Sequence, residues 1–349
     1  MATPSILGIG TAVPPYSYDQ AEIMPIVRGL FKERVENLDR LLKVFEHSHI
    51  RRRHFVREPE WYISDHGFGE ANRVFAQSST ELCLSAAGKA LAKSGIDPRE
   101  IGAVVAVSST GVMTPSLDAV LIQELGLSLN ARRIPIFGLG CAGGVTGLAR
   151  AAEQSTALAG APVLFVAVEI CSITFQKNDI SKANLIGTSI FADGAAALVV
   201  GAGPGGPQVV SSYHQLFADT YDIMGWEVAD SGLKVLFSRD IPTFVRTHIP
   251  RVVDEACEHW KIDRKAISSY ITHPGGAKVL DAFADALGID QNMLLPAYEV
   301  LREFGNMSSA SVLFVLDNML ATDRLAHGYG LMSALGPGFS SDQLLLKMA

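Results

Sequence analysis

Two apolar, β-branched runs set the pattern of this chain: Gly102-Ala103-Val104-Val105-Ala106-Val107 and Val163-Leu164-Phe165-Val166-Ala167-Val168. Neither alternates with polar residues, as a strand with one wet face would, so both predict strands buried on two faces. Helical patterns lie between such runs. From Ser79 to Lys93, for example, Leu82/Cys83, Ala86/Ala87 and Ala90/Leu91 recur at helical spacing. Strands alternating with helices predict an α/β fold.

The pattern also repeats. Gly95-Ile96-Asp97-Pro98-Arg99-Glu100-Ile101 leads into a strand ending Val107-Ser108-Ser109-Thr110-Gly111. Lys261-Ile262-Asp263-Arg264-Lys265-Ala266-Ile267 leads into one ending Ile271-Thr272-His273-Pro274-Gly275-Gly276. Glu124-Leu125-Gly126 is answered by Ala286-Leu287-Gly288, and Gly140-Cys141 by Gly305-Asn306. Ile96 to Cys141 spans 45 positions and Ile262 to Asn306 spans 44. Three landmarks in order at a near-constant offset predict a duplicated α/β unit, with halves 1–206 and 207–349 joined near Gly201-Ala202-Gly203-Pro204-Gly205-Gly206-Pro207. Cys141 and Asn306 should then start equivalent helices that face a shared cleft.

Composition narrows the function. The 349 residues are 48% hydrophobic and only 19% charged, against about 25% in a typical globular chain. Low charge predicts extensive burial, including between subunits, and hence a homodimer. The balance of 29 basic and 36 acidic residues is −7, and the longest basic run is Arg51-Arg52-Arg53. That is too weak a positive field for a nucleic-acid partner. No integral membrane segment or secretory signal is evident, so a cytoplasmic location is expected. Cys83, Cys141, Cys171 and Cys257 have no CxxC pair, so neither zinc nor a disulfide framework is indicated, and at least three should be core thiols.

Cys141 follows a short strand and a glycine-flanked turn (Ile134-Pro135-Ile136-Phe137-Gly138-Leu139-Gly140) and opens a helical pattern. A helix N-terminus favours thiolate, which makes Cys141 a candidate nucleophile; a buried small hydrophobe is the competing reading. Gly138, Gly140 and Gly143 also spell GxGxxG, with Glu169 ending the next strand, which is the dinucleotide-binding arrangement of an NAD-dependent reductase. Against it, Glu169 lies beyond the usual interval and a thiol sits at the phosphate turn. A second GxGxxG at Gly201, Gly203 and Gly206 has no following helix and reads as a linker. His273 ends a strand, at an exposed strand end. Asn306 reads either as an N-cap or as a cleft amide that donates to an oxyanion. His47, His49, His54 and His66 lack metal-ligand spacing, and no metal site is expected.

Taken together, these residues resemble the type III polyketide synthases, the chalcone-synthase-like family of the thiolase fold. The resemblance rests on Gly140-Cys141-Ala142-Gly143-Gly144, Ser189-Ile190-Phe191-Ala192-Asp193-Gly194-Ala195-Ala196-Ala197, Gly232-Leu233 through Arg239-Asp240-Ile241-Pro242, Thr272-His273-Pro274-Gly275-Gly276, Gly305-Asn306-Met307-Ser308-Ser309-Ala310-Ser311 and Gly336-Pro337-Gly338. These segments span nearly the whole chain in the family's order. The resemblance implies two pseudo-symmetric α/β halves in a five-layered αβαβα arrangement, usually dimeric. It implies Cys141 as nucleophile, kept ionised by an imidazolium at His273, with His273 and Asn306 stabilising the enolate of decarboxylated malonyl-CoA. Phe191 would orient malonyl-CoA and divide tunnel from cavity. The substrates implied are an acyl-CoA starter and malonyl-CoA, with no carrier protein, metal or redox cofactor.

The positions matching the family's CoA-binding residues are Arg40, Lys43 and His47, three and four apart on one helix face, with His47 replacing a usual lysine. At the pocket, Cys171 stands where a threonine is usual, Val235 where a phenylalanine gates the tunnel, and Thr114 where a methionine reaches across the dimer. Thr110, Thr174 and Ser308 complete the implied pocket. Smaller gate residues leave room for a longer starter. The strings Val168-Glu169-Ile170-Cys171-Ser172 and Met224-Gly225-Trp226-Glu227-Val228 look like bacterial alkylresorcinol and alkylpyrone synthases, so a long-chain acyl starter and an alkylpyrone or alkylresorcinol product are expected. Within the fold, a β-ketoacyl synthase III shares a Cys-His-Asn set but usually has a different string after its histidine. A hydroxymethylglutaryl-CoA synthase would need a cleft acid that the sequence does not place.

Overall fold

The computed structural model describes residues 3–238 and 240–348; Arg239, within one of the matching segments, lies outside the described residues. The strands are β1 (Ser5–Ala12), β2 (Tyr16–Asp19), β3 (Arg52–Phe55), β4 (Ala103–Val107), β5 (Arg132–Ile136), β6 (Val163–Ile170), β7 (Asp193–Gly201), β8 (Gln208–Leu216), β9 (Met224–Ala229), β10 (Gly232–Phe237), β11 (Ile267–Thr272), β12 (Gly328–Gly336) and β13 (Ser340–Met348). The helices are α1 (Gln20–Phe31), α2 (Leu38–Glu46), α3 (Pro59–Ile63), α4 (Phe68–Ser94), α5 (Leu117–Glu124), α6 (Gly143–Ala157), α7 (Lys182–Ile190), α8 (Ile241–Trp260), α9 (Ala277–Leu287), α10 (Leu295–Phe304) and α11 (Ser311–Ala321).

Nine strands are linked in the order β11-β12-β13-β8-β1-β7-β6-β4-β5. The two wings meet at β1 and β8 through the pair Ser5↔Gln208; outward from this joint run β7-β6-β4-β5 on one side and β13-β12-β11 on the other, the last strand of each half lying next to its first. Helix α4 covers β1, β6 and β7, and α5 covers β4 and β5. Helix α6 touches β4, β6 and β7 on one side and β8, β12 and β13 on the other, while α11 touches β1 and β7 as well as β11 and β12. Helix α8 closes β8 and β13, with α9 packed on it. The result is the five-layered αβαβα arrangement.

Two-sided burial explains why the strands read as continuous apolar runs. On β4, Val105 and Val107 face the core around α6 while Val104 and Ala106 face the core around α4; on β6, Phe165 and Ala167 alternate with Leu164 and Val166 in the same way. The helix expected over Ser79–Lys93 is longer: its buried stripe begins at Ala71, Val74 and Phe75 and ends where Gly95 turns left-handed at φ 67°.

The repeated landmarks adopt matching local structures. Asp97 and Asp263 each accept a hydrogen bond two residues on, from Arg99 and Lys265, at the 3-10 turn before a strand. Gly126 and Gly288 both lie at φ 63° after α5 and α9. Cys141 sits in a 3-10 turn before α6, and Asn306 precedes the Ser308–Ala310 turn before α11. A third small core, of Ile23, Val27, Phe31, Leu42, Phe45 and Leu185, packs α1 and α2 onto α7.

Candidate active site

The two middle helices approach closely where the chemistry is expected. A Cβ on Gly144 would lie 2.3 Å from the carbonyl oxygen of Ser309, so a glycine there lets the start of α6 meet the turn before α11. Gly140, at φ 47°, has Pro337 against it, where a Cβ would come within 2.7 Å of the ring. Cys141 is thereby held at the bottom of a cavity of about 470 Å³, which His273 and Asn306 also line together with Met224, Phe237 and Ser333. Its sulfur lies 3.4 Å from Ser308 Oγ, and Ser308 itself is in the left-handed region at φ 46°.

His273 is not at an exposed strand end. It is 6% exposed, tied by its backbone N–H to Ser333 O at 2.8 Å, and neither ring nitrogen has a hydrogen-bond partner. Both nitrogens are thus unclaimed by the protein at a cavity wall. Asn306 is not itself the N-cap, since Met307 caps the 3-10 turn and Ala310 caps α11, and its side chain lines the cavity. Its Oδ1 accepts from Ser308 N at 2.8 Å in a cap-like turn, which leaves Nδ2 on the other side, where it donates to Gly275 O at 3.2 Å and keeps a second N–H. The backbone of Asn306 forms a β-bridge with Phe191: Asn306 N donates to Ile190 O and Ala192 N to Asn306 O.

Burial works against the expected thiolate–imidazolium pair. Burial pushes the Cys141 thiol up to about 12, against the hydrogen bond from Ser308 that lowers it, and burial pushes His273 down to about 3. Loss of hydration thus opposes the favourable helix start and disfavours the charged form of each group. A neutral imidazole is a proton acceptor, and it becomes a charged donor once it has taken the thiol's proton.

Phe191 lines a second cavity of about 750 Å³, together with Cys171, Thr174 and Val235. The Phe191–Asn306 bridge forms the wall between the two cavities. Much of its wall is apolar, supplied by Ile23, Ile26, Val27 and Leu30 of α1 and by Phe175. Val235 pairs with Trp226 in the β9–β10 hairpin, whose indole lies 5.9 Å from the Phe191 ring. Thr174 donates to Cys171 O at 2.7 Å.

Other expectations are corrected. Thr110 lines neither cavity, because its hydroxyl is consumed structurally: it donates to Glu169 and accepts from Ile170 N, both at 2.9 Å. Thr114 is exposed in the loop before α5 and reaches neither cavity of its own chain. Since Cys171 is a cavity residue, only Cys83 and Cys257 remain of the cysteines as plain core thiols. Arg40, Lys43 and His47 are exposed along one side of α2, opposite its buried Leu38, Leu42 and Phe45. Among the described residues there is no group of side chains suited to a metal ion.

Glu169 cannot serve a ribose. It is fully buried beside Cys141 and accepts from Ser309 Oγ at 2.6 Å, Ser109 N at 3.0 Å and Thr110 Oγ1. Gly138 and Gly140 turn the chain towards Cys141 and Pro337, and Gly143 meets Val107 and Ser309. The glycine string serves close packing rather than a pyrophosphate, which removes the reductase reading. Burial raises the Glu169 carboxyl to about 7. The sequence did not point to this role, nor to Trp226, the α1 face or Arg53, which was read only as part of a basic run. A period-two reading of β3 would have found Arg53, since Arg52 points outward and Arg53 inward.

Comparisons with known proteins agree with this geometry. The chalcone and stilbene synthase N-terminal domain matches residues 2–204 and the corresponding C-terminal domain residues 208–349. A Bacillus subtilis (strain 168) protein with a provisional chalcone synthase name is 41% identical, over 98% of each chain. A 1,3,6,8-tetrahydroxynaphthalene synthase of Streptomyces peucetius subsp. caesius is 34% identical over 98% of this chain and 93% of its own. The crystal structure of 1,3,6,8-tetrahydroxynaphthalene synthase from Streptomyces coelicolor A3(2) superposes with a TM-score of 0.94 over 99% of both chains, at 28% identity. The chain therefore belongs to the chalcone and stilbene synthase family: it is a type III polyketide synthase, a decarboxylating, condensing acyltransferase of the thiolase fold that uses CoA thioesters.

Proposed function

We propose that this synthase primes Cys141 with a long-chain fatty acyl-CoA, extends it with malonyl-CoA and closes the chain to an alkylpyrone or alkylresorcinol. The observation that carries the substrate is the largely apolar cavity lined by Phe191, Ile23, Ile26, Val27 and Leu30. Burying a methylene is worth about 0.8 kcal/mol, close to fourfold in affinity, so such a wall selects for chain length. A relative from Mycobacterium tuberculosis (strain CDC 1551 / Oshkosh), 29% identical over 98% of this chain, carries alpha-pyrone synthesis in its name.

In this reading neutral His273 takes the Cys141 proton as sulfur attacks the starter thioester, and CoA leaves as the thiol. Malonyl-CoA then loses CO2, and its enolate oxygen is held by His273 and by the free N–H of Asn306. The enolate carbon attacks the acyl thioester and frees the Cys141 sulfur for the next round. Arg40 and Lys43 offer two cations to the CoA phosphates, with His47 beside them. We also propose a cytoplasmic homodimer without a carrier protein. Its face would be the free edge of β5, where Val112 and Phe137 are 53% and 60% exposed and Thr114 lies in the adjoining loop. Among the described residues no helix is long and apolar enough to cross a membrane.

A ladder of acyl-CoA starters, each competing for malonyl-CoA with product analysis by mass, tests the substrate class. The kcat/KM is expected to rise with chain length up to at least C12. Short aromatic starters, or malonyl-CoA itself as starter, winning that competition would overturn it. In the same assay Cys171→Ala is expected to shift product length or profile while starter loading stays at the wild-type rate, because Cys171 lines the acyl cavity and not the Cys141 cavity. Loss of loading in that variant would remove the distinction.

A further inference from the structure

Arg53 is the largest of the fully buried side chains, 1% exposed, and stands at the wall between the two cavities. Its Nη1 donates to Thr188 O at 2.6 Å and to Phe191 O at 2.9 Å, and its Nε donates to Gln20 Oε1 at 3.0 Å. Gln20, the first residue of α1, in turn donates to Ser189 O at 2.7 Å. The aliphatic stem of Arg53 lies against Gly305: a Cβ there would be 2.9 Å from Arg53 Cγ. Gly305 is followed by Asn306, whose backbone is bridged to Ile190 and Ala192. One side chain therefore touches the end of α7, the Phe191 carbonyl, the start of α1 and the loop that carries Asn306.

A guanidinium is a costly strut. Burying it away from water is unfavourable, and Nη2 has no hydrogen-bond partner at all. Its compensation comes from the Phe55 ring, whose centre lies 5.2 Å from the guanidinium carbon, and from the charge of buried Asp193, whose own oxygens are held by Ser172 and by Val56 N. An apolar side chain would fill the space, but it could not hold two carbonyls and an amide in one plane. We propose that Arg53 is the positioning residue of the extension step: it fixes Phe191 and Asn306 relative to each other, so that malonyl-CoA is decarboxylated and condensed in register with the acyl chain. Cys141 is also held from a side that Arg53 does not touch, by Gly140 against Pro337, so starter loading should lean on this strut less than extension does.

This inference rests on the roles proposed above for Phe191, Asn306 and Cys141, and the experiment separates the two. Wild-type, Arg53→Ala, Arg53→Lys and Gln20→Ala proteins are compared for acyl loading by intact mass and for malonyl-CoA decarboxylation under saturating substrate. A displacement of about 1 Å at a reacting centre costs about 100-fold. Arg53→Ala is accordingly expected to lose about 100-fold in extension kcat while loading stays within about threefold. Arg53→Lys, and guanidinium chloride added to Arg53→Ala, should each restore part of the loss. If Arg53→Ala does not fold, Gln20→Ala carries the test: removing the Nε partner should slow extension and leave loading unchanged. Extension at the wild-type rate, or loading and extension falling together in the folded variants, would overturn the inference. A wild-type protein that neither loads nor extends would instead overturn the functional reading beneath it.

Discussion

Replacing Cys141 with alanine is expected to abolish covalent loading: intact mass after incubation with dodecanoyl-CoA shows no adduct, and polyketide formation falls by about 10⁴-fold or more. The fold should survive, because the sulfur lies at a cavity wall and its side-chain hydrogen bonds are confined to Ser308 Oγ at 3.4 Å and the Asn306 amide. Decarboxylation of malonyl-CoA alone should persist, since the enolate donors belong to His273 and Asn306. An acyl adduct that survives the substitution would show that another residue is the nucleophile; Cys171, the second buried thiol near Cys141, is the one to map first.

Replacing His273 with glutamine is expected to have the next largest effect and to reveal how the nucleophile is made. With burial pushing the thiol up to about 12 and the imidazole down to about 3, the resting pair is expected to be uncharged across the neutral range. Proton transfer within the pair changes no net charge, so alkylation of Cys141 by iodoacetamide should be nearly flat between pH 6 and 9 in a Cys171→Ala background. Without the imidazole the thiolate must form by ionisation to solvent. The rate should then rise about tenfold per pH unit, because the working pH lies below the thiol's value, and at pH 7 it should be about 10²- to 10⁴-fold slower than with His273 present. A steep profile in the protein that retains His273, or a flat one in the His273→Gln variant, would exclude this account of the proton.

Much of the architecture was legible because burial is written into residue type. The runs at 102–107 and 163–168 admit no wet face, and their alternate residues do pack into two different cores. The echo between the halves was legible because turns and caps demand particular residues: an aspartate that caps a 3-10 turn at 97 and 263, and a left-handed glycine at 126 and 288. Cys141, His273 and Asn306 were legible from strings whose local structure puts them at helix starts and strand ends, and one cavity collects all three.

The rest depended on contacts between segments far apart in sequence. Nothing local marks Glu169 as a buried acceptor for Ser109, Thr110 and Ser309, so its place after a glycine string invited a cofactor role. Residue type does not separate Arg53 from Arg51 and Arg52, and only the alternation of β3 does, although Arg51 pairs with half-buried Glu303 while Arg53 is sealed inside. The ionisation states also followed from burial rather than motif. A helix start favours thiolate by at most a couple of kcal/mol, whereas dehydration of a buried thiol can exceed that. Likewise the acyl cavity is walled by α1, which contributes none of the matching strings.

The central claim, that a Cys141-bound acyl chain is extended by decarboxylative condensation, is tested most directly by counting carbon. Wild-type protein is given dodecanoyl-CoA and malonyl-CoA labelled in the free carboxyl. The account predicts one labelled CO2 for every malonyl unit incorporated, with a dodecanoyl adduct on the Cys141 peptide before the first release and unlabelled product throughout. Label retained in the product, or product formed with no adduct on that peptide, would contradict it.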